Sequence, residues 1–169
     1  MTIRNRMPRV GWLFFAAAIF AGAAFAQASV AELRARFAAE RDPVKKAKIM
    51  PKLGDAEFQE IGADFAGGKF QEALGVLREY RDEAQSCALT LDATNINPEK
   101  HSSGFKELQI SSRESLRRLD ELLSHVTPDE QAPFQDMRKS LVDLNRHLFQ
   151  ELFPDQPPAE GAGAEKQGH

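Results

Sequence analysis

An all-α antiparallel bundle of four or five helices is the fold this sequence predicts, and three observations carry it. Apolar residues recur at intervals of three and four along most of the chain, as one face of an α-helix requires. Residues that start helices stand just before these segments. Runs of alternating β-branched residues, which would mark strands, do not occur.

The chain begins with Arg4, Arg6 and Arg9 followed by an apolar run from Val10 to Phe20 and then small residues ending Ala24-Phe25-Ala26. Positive charge, an apolar stretch and small side chains before a cut are the parts of an export signal, so residues 1–26 are expected to be a cleaved leader, the alternative being a retained membrane anchor, since Val10 to Ala26 approaches the length of a span. No cysteine lies near the cut to accept a lipid. Once the leader is removed, no membrane span is expected, and the mature protein is expected to be periplasmic or secreted. Residues 27–153 are expected to form the helical domain, and residues 154–169, rich in Pro, Gly, Ala and Gln, a disordered tail.

Ser29 followed by Glu32 has the form of a capping box and predicts a first helix from Val30 to about Arg41. Asp42-Pro43 starts the second, since proline at the first helical position gives up an amide that would have no partner there. Val44, Ala47, Met50, Phe58, Ile61 and Phe65 continue it, with Pro51 and Gly54 predicting a kink or break near Met50–Leu53. Gly67-Gly68 supplies a tight turn, and Phe70, Ala73, Leu77, Tyr80, Ala84, Cys87 and Leu91 form a heptad seam on the third helix. A polar loop from Asp92 to Gly104 precedes the fourth, whose inward face is Phe105, Leu108, Leu116, Leu119, Leu123 and Val126. Thr127-Pro128 with Glu130 starts the fifth, unless Pro133 delays it, and Phe134, Met137, Leu141, Leu144, Leu148 and Leu152 lie along it.

Removing a leader with three arginines and no acids from a chain of 22 basic and 25 acidic residues leaves 19 basic residues and a net charge of −6. Nucleic acid is therefore not an expected partner, because phosphate binding needs concentrated positive charge. Cys87 is the single cysteine, so no intramolecular disulfide forms and covalent attachment of a c-type haem is excluded. Its seam position makes it a small apolar filler rather than a redox thiol.

Asp143, His147 and Glu151 stand four residues apart in series, which stacks them on one helical stripe as candidate ligands of a divalent metal. The stripe borders the Leu144–Leu148 seam, where charged residues ordinarily flank a core, so a solvated flank is the expectation and no metal or other cofactor is assigned. Ser111, Ser112 and Ser115 lack the glycine-flanked elbow of a hydrolase and are expected to be packing or surface residues. Arg117 and Arg118 are spaced to pair with Glu114 and Glu121. No catalytic residue is assigned, and the chain is not expected to be an enzyme.

The stretch from Asp64 to Leu74, with Gly68, Phe70, Ala73 and then Leu77, resembles the central turn of a tetratricopeptide repeat, over one hairpin around residues 58–84. Tyr80 stands where that family usually has alanine, and the terminal proline is missing. The likeness implies a helical hairpin used to bind another protein. Val126-Thr127-Pro128-Asp129-Glu130-Gln131 resembles, more distantly, the helix start of small periplasmic helical chaperones and metal-stress proteins. The function expected is that of an exported, non-catalytic module binding another protein or the cell envelope. The alternative is a periplasmic chaperone or stress protein that binds unfolded clients or metal.

Overall fold

The computed structural model describes residues 21–156, with side chains from residue 30 onward. It contains α1 (Ala21–Ala39), α2 (Pro43–Ala66), α3 (Phe70–Asp92), α4 (Phe105–Leu123) and α5 (Pro128–Leu152), and no strand among the described residues. The protein is an all-α bundle. The basic and apolar parts of the expected leader lie outside the described residues. Of the expected tail, Pro154 to Gln156 form a turn in which the Gln156 amide donates to the Phe153 carbonyl (3.0 Å), and the remainder also lies outside.

Four helices form a ring in which α2 touches α3, α3 touches α5, α5 touches α4 and α4 returns to α2. Named contacts set their directions. Asp55 meets Arg118 while Gly54 faces Ser111, so α2 and α4 run parallel. Gln109–Asn145 and Asp120–Arg138 make α4 and α5 antiparallel, and Asp92–His147 brings the C-terminal parts of α3 and α5 together. The first helix lies outside this ring. Among the described residues it packs on α2, antiparallel, through Phe37 and the partly buried Leu33, and reaches α3 through Arg34 and Glu79.

The seam predicted for α3 is the inner face of the ring: Ala73, Leu77, Tyr80, Ala84, Cys87 and Leu91 are all inaccessible to solvent. Facing it are Met50, Leu53, Phe58 and Ile61 of α2, Leu108 and Leu119 of α4, and Phe134, Leu141 and Leu148 of α5. Phe65 joins the two ends of the ring, its centroid 5.4 Å from Phe70 and 5.0 Å from Phe134. Burial of this size is the main stabilising term for a bundle with no disulfide.

Helix starts follow the local chemistry. The Asp42 carboxylate accepts from the Lys45 amide (2.9 Å) ahead of Pro43. The Glu130 carboxylate accepts from both the Thr127 amide and its hydroxyl (2.9 and 2.8 Å), which starts α5 where expected and carries it through Pro133. Two expectations are corrected. Ser29 lies inside α1 rather than at its start, because the alanine-rich residues before it favour helix and continue the backbone ladder. Of the kink or break expected near Met50–Leu53, the break is absent: α2 is one helix of 24 residues that carries Pro51 and Gly54 within it, where α2 packs against α3 and α4. Gly54 is needed there, since a Cβ would stand 3.0 Å from the Tyr80 ring. Of the Gly67-Gly68 pair, only Gly68 takes positive φ (68°).

Candidate functional site

Asp143, His147 and Glu151 do share a stripe of α5, but tertiary packing separates their chemistry. The Asp143 carboxylate accepts from Lys139 (2.9 Å) and Arg146 (3.1 Å), and these cations, Lys139 foremost, hold it below the usual carboxylate range. His147 turns the other way. Its Nε2 lies 2.9 Å from Asp92 Oδ2 at the end of α3, and Glu151 one turn later faces the same opening. Among the described residues, no three His, Cys, Asp or Glu side chains are placed to hold a metal ion.

What His147 and Glu151 line instead is an open cleft of about 420 Å³ between α3, the 93–104 loop and α5, completed by Asp92, Asn95, Ile96 and Phe105. The loop is shaped by its own side chains. Thr94 donates to the Leu91 carbonyl (2.6 Å) and accepts from the Ile96 amide (3.3 Å), Asn95 takes positive φ (55°), and Asn97 accepts from the Glu99 amide (2.9 Å). Gly104, at φ 91°, then passes close to Leu91 and Val44, and its amide donates to the Glu107 carboxylate (2.6 Å). The cleft is thus mainly polar, with an acidic margin, one imidazole and Ile96 as its exposed apolar side chain, Phe105 lying almost wholly in the core behind it. An imidazole oriented by a carboxylate is two parts of a nucleophilic triad, but the lining contains no hydroxyl, thiol or amine for it to activate. Leu89, one turn before Asp92 on α3, is 69 % exposed, and Ile96 in the cleft wall is 37 % exposed.

A second hollow, about 180 Å³, lies between α2 and α4 and is lined by Pro51, Gly54, Ile110, Ser111 and Ser115, with the Asp55–Arg118 pair (2.6 Å) at its edge. Beneath it, the buried Tyr80 hydroxyl accepts from Ser115 (2.7 Å) and shares a hydrogen bond with Ser111 (3.2 Å). Burial pushes the phenol upward, so these hydroxyls satisfy one another as neutral groups inside the core. Ser111 and Ser115 are therefore packing residues with a polar duty that spacing alone did not disclose, while the buried Ser112 hydroxyl has no hydrogen-bond partner among the described residues.

One strongly perturbed carboxyl was not singled out by its spacing in the sequence. Glu57 on α2 is fully buried under α1, where its Oε1 accepts from Arg34 Nε at 2.7 Å. Arg34 also reaches Glu79 on α3 (3.0 Å). Burial, and next the neighbouring Glu83 carboxyl, push Glu57 to about 8, outweighing the pull of Arg34 in the other direction. Glu83 is likewise raised, chiefly by burial. A signal was present in the sequence: Glu57 stands one turn from both Leu53 and Ile61, so a carboxylate occupies the buried face of α2.

Cys87 is inaccessible and its thiol is pushed up to about 12 by burial. The thiolate is the reactive form, so a maleimide should label the native protein slowly and the urea-unfolded protein fast, as followed by mass spectrometry. Fast native labelling would mark Cys87 as reactive. No protein-family model, no curated protein and no solved structure matches this chain. Among the described residues, no helix is long and apolar enough to cross a membrane.

Proposed function

We propose that this chain is an exported, non-catalytic helical module that binds another protein, and that the cleft at the α3–α5 end is where it does so. The leader-like residues 1–26 support export. The observation that carries the binding reading is the cleft itself: the exposed Ile96, backed by the buried Phe105, gives its wall an apolar side chain, Asp92 and Glu151 border it, and Leu89 is a further exposed apolar side chain one turn before Asp92. Exposed apolar side chains grouped beside a concavity suit a partner surface more than isolated ones do. The acidic border favours a partner segment that carries lysine or arginine, whose aliphatic stems would lie along Ile96 while their charges meet Asp92 and Glu151. The hairpin resemblance around residues 58–84 supports the same class of function.

The test is capture from the protein's own envelope fraction with the wild type and with the Leu89→Glu/Ile96→Glu variant. One partner retained by the wild type and lost by the variant, at an unchanged melting temperature, is the expected result. Equal recovery with both would remove the cleft from the proposal. Suppression of aggregation of unrelated unfolded proteins, together with binding of an apolar dye, would favour the chaperone reading instead.

A further inference from the structure

The Glu57 cluster has no part in the proposed cleft, and its geometry supports a separate inference. Three elements meet there: α1 contributes Arg34, α2 contributes Glu57, Glu60 and Lys46, and α3 contributes Glu79, Glu83 and the phenol of Tyr80. One guanidinium, 30 % exposed, faces a fully buried carboxyl on one side and a surface carboxyl on the other. Glu57 Oε2 and Glu83 Oε2 are both buried with no hydrogen-bond partner among the described residues. Arg34 Nη2, also buried and without a hydrogen-bond partner among the described residues, lies 3.0 Å from Glu79 and meets neither of these oxygens. Two neighbouring carboxyl groups cannot both stay ionised out of water without donors to meet their oxygens, so a single proton between them is the arrangement that satisfies both.

We propose that α1 is a proton-coupled clasp: docking of α1 over Glu57 takes up one proton from solvent onto the Glu57–Glu83 pair, and loss of that proton releases the helix. The element is suited to local opening. It lies outside the four-helix ring, packs among the described residues on α2 through Phe37 and Leu33, reaches α3 through the Arg34–Glu79 pair (3.0 Å), and is joined to α2 by residues 40–42. The Lys46 ammonium lies over the Phe37 ring (4.6 Å), a contact that also breaks when α1 leaves. Leu33, Arg34 and Phe37 all follow the expected leader cleavage position, so the clasp persists in a mature chain.

The direction with pH follows from which state holds the proton. With α1 docked, Glu57 is pushed up to about 8, burial outweighing the downward pull of Arg34; release of α1 removes both, and because burial is the larger effect the net change is downward, towards the ordinary 4.5. The docked state therefore binds more protons between these values, so docking is strongest below the lower one and weakens as pH rises towards the upper one. One proton changes the docked-to-open ratio by about tenfold per pH unit in that window. Acid closes the clasp and alkali opens it.

A nitroxide placed by Ala35→Cys on the exposed side of α1, in a Cys87→Ala background, reads the clasp through its spectral mobility between pH 5 and pH 9. An immobile component that gives way to a mobile one as pH rises, while circular dichroism shows α2 to α5 intact, is expected. Glu57→Gln keeps a neutral side chain that still accepts from Arg34, and should stay docked across the whole range. Glu83→Gln should move the midpoint to lower pH without abolishing α1 docking, which keeps the test decisive if Glu57→Gln folds poorly. A pH-independent spectrum in the parent protein, a transition that persists unchanged in Glu57→Gln or in Glu83→Gln, or loss of the whole bundle together with α1 would each overturn the proposal. None of these readouts involves the α3–α5 cleft, so the clasp and the binding reading fail separately.

Discussion

Leu77→Ala should lower the free energy of unfolding by about 2–5 kcal/mol, the range for deleting a leucine from a packed core. Leu77 is fully buried at the middle of α3, the helix that contacts α2, α4 and α5 alike, so the void would be lined by several helices that cannot all close on it. For a domain whose total stability lies around 5–15 kcal/mol, such a loss threatens folding at physiological temperature. Urea unfolding followed by circular dichroism measures it, with the midpoint falling and the slope unchanged. Leu144→Ala, at a position 7 % exposed on α5, should fall in the same range, nearer its lower end. An unchanged midpoint in both variants would mean that the inner faces of α3 and α5 are wrongly assigned.

Gly104→Ala should cost about 2–5 kcal/mol for a different reason, combining backbone strain with overpacking. At φ 91° a side chain is strained whatever the space around it, and here the added Cβ would stand 2.9 Å from Leu91 Cδ2 and 3.3 Å from the Val44 backbone. The second neighbour cannot move without shifting the start of α2. Gly75→Ala is the matched control, because a Cβ at this helical position meets nothing within 4 Å. It should stabilise by about 0.5–1 kcal/mol through higher helix propensity and a less disordered unfolded chain. Thermal melts of the two variants should therefore shift in opposite directions. Because Gly104 sets where Phe105 enters α4, Gly104→Ala should also weaken partner binding at the cleft, while Gly75→Ala leaves it intact.

The cleft and the acid cluster differ in how far the sequence announces them. Spacing alone nominates His147 and Glu151, and packing retains both at one opening, but it replaces Asp143 with Asp92 as the carboxylate beside the imidazole. The reason is local competition. Lys139 and Arg146 lie within one turn of Asp143 and claim it, whereas Asp92 is 55 positions from His147 and becomes its neighbour only once α3 and α5 lie side by side. Arg34 and Glu57, 23 positions apart, are likewise joined only by the docking of α1.

By itself the sequence determined the all-α class, the helix starts at Asp42 and Thr127, and the inward faces of α3 and α5, from Leu77 to Leu91 and from Phe134 to Leu152. These are consequences of interactions within one or two turns, which periodicity and capping chemistry report directly. Tertiary structure alone decided that Pro51 and Gly54 sit within an unbroken α2, and that Ser111 and Ser115 serve the Tyr80 hydroxyl. It also decided that a carboxyl on the flank of α2 is sealed from water by a helix packed outside the ring. Those outcomes depend on which helix lies against which face, and the energy that selects the arrangement is summed over the whole buried surface rather than carried by any one stretch of chain.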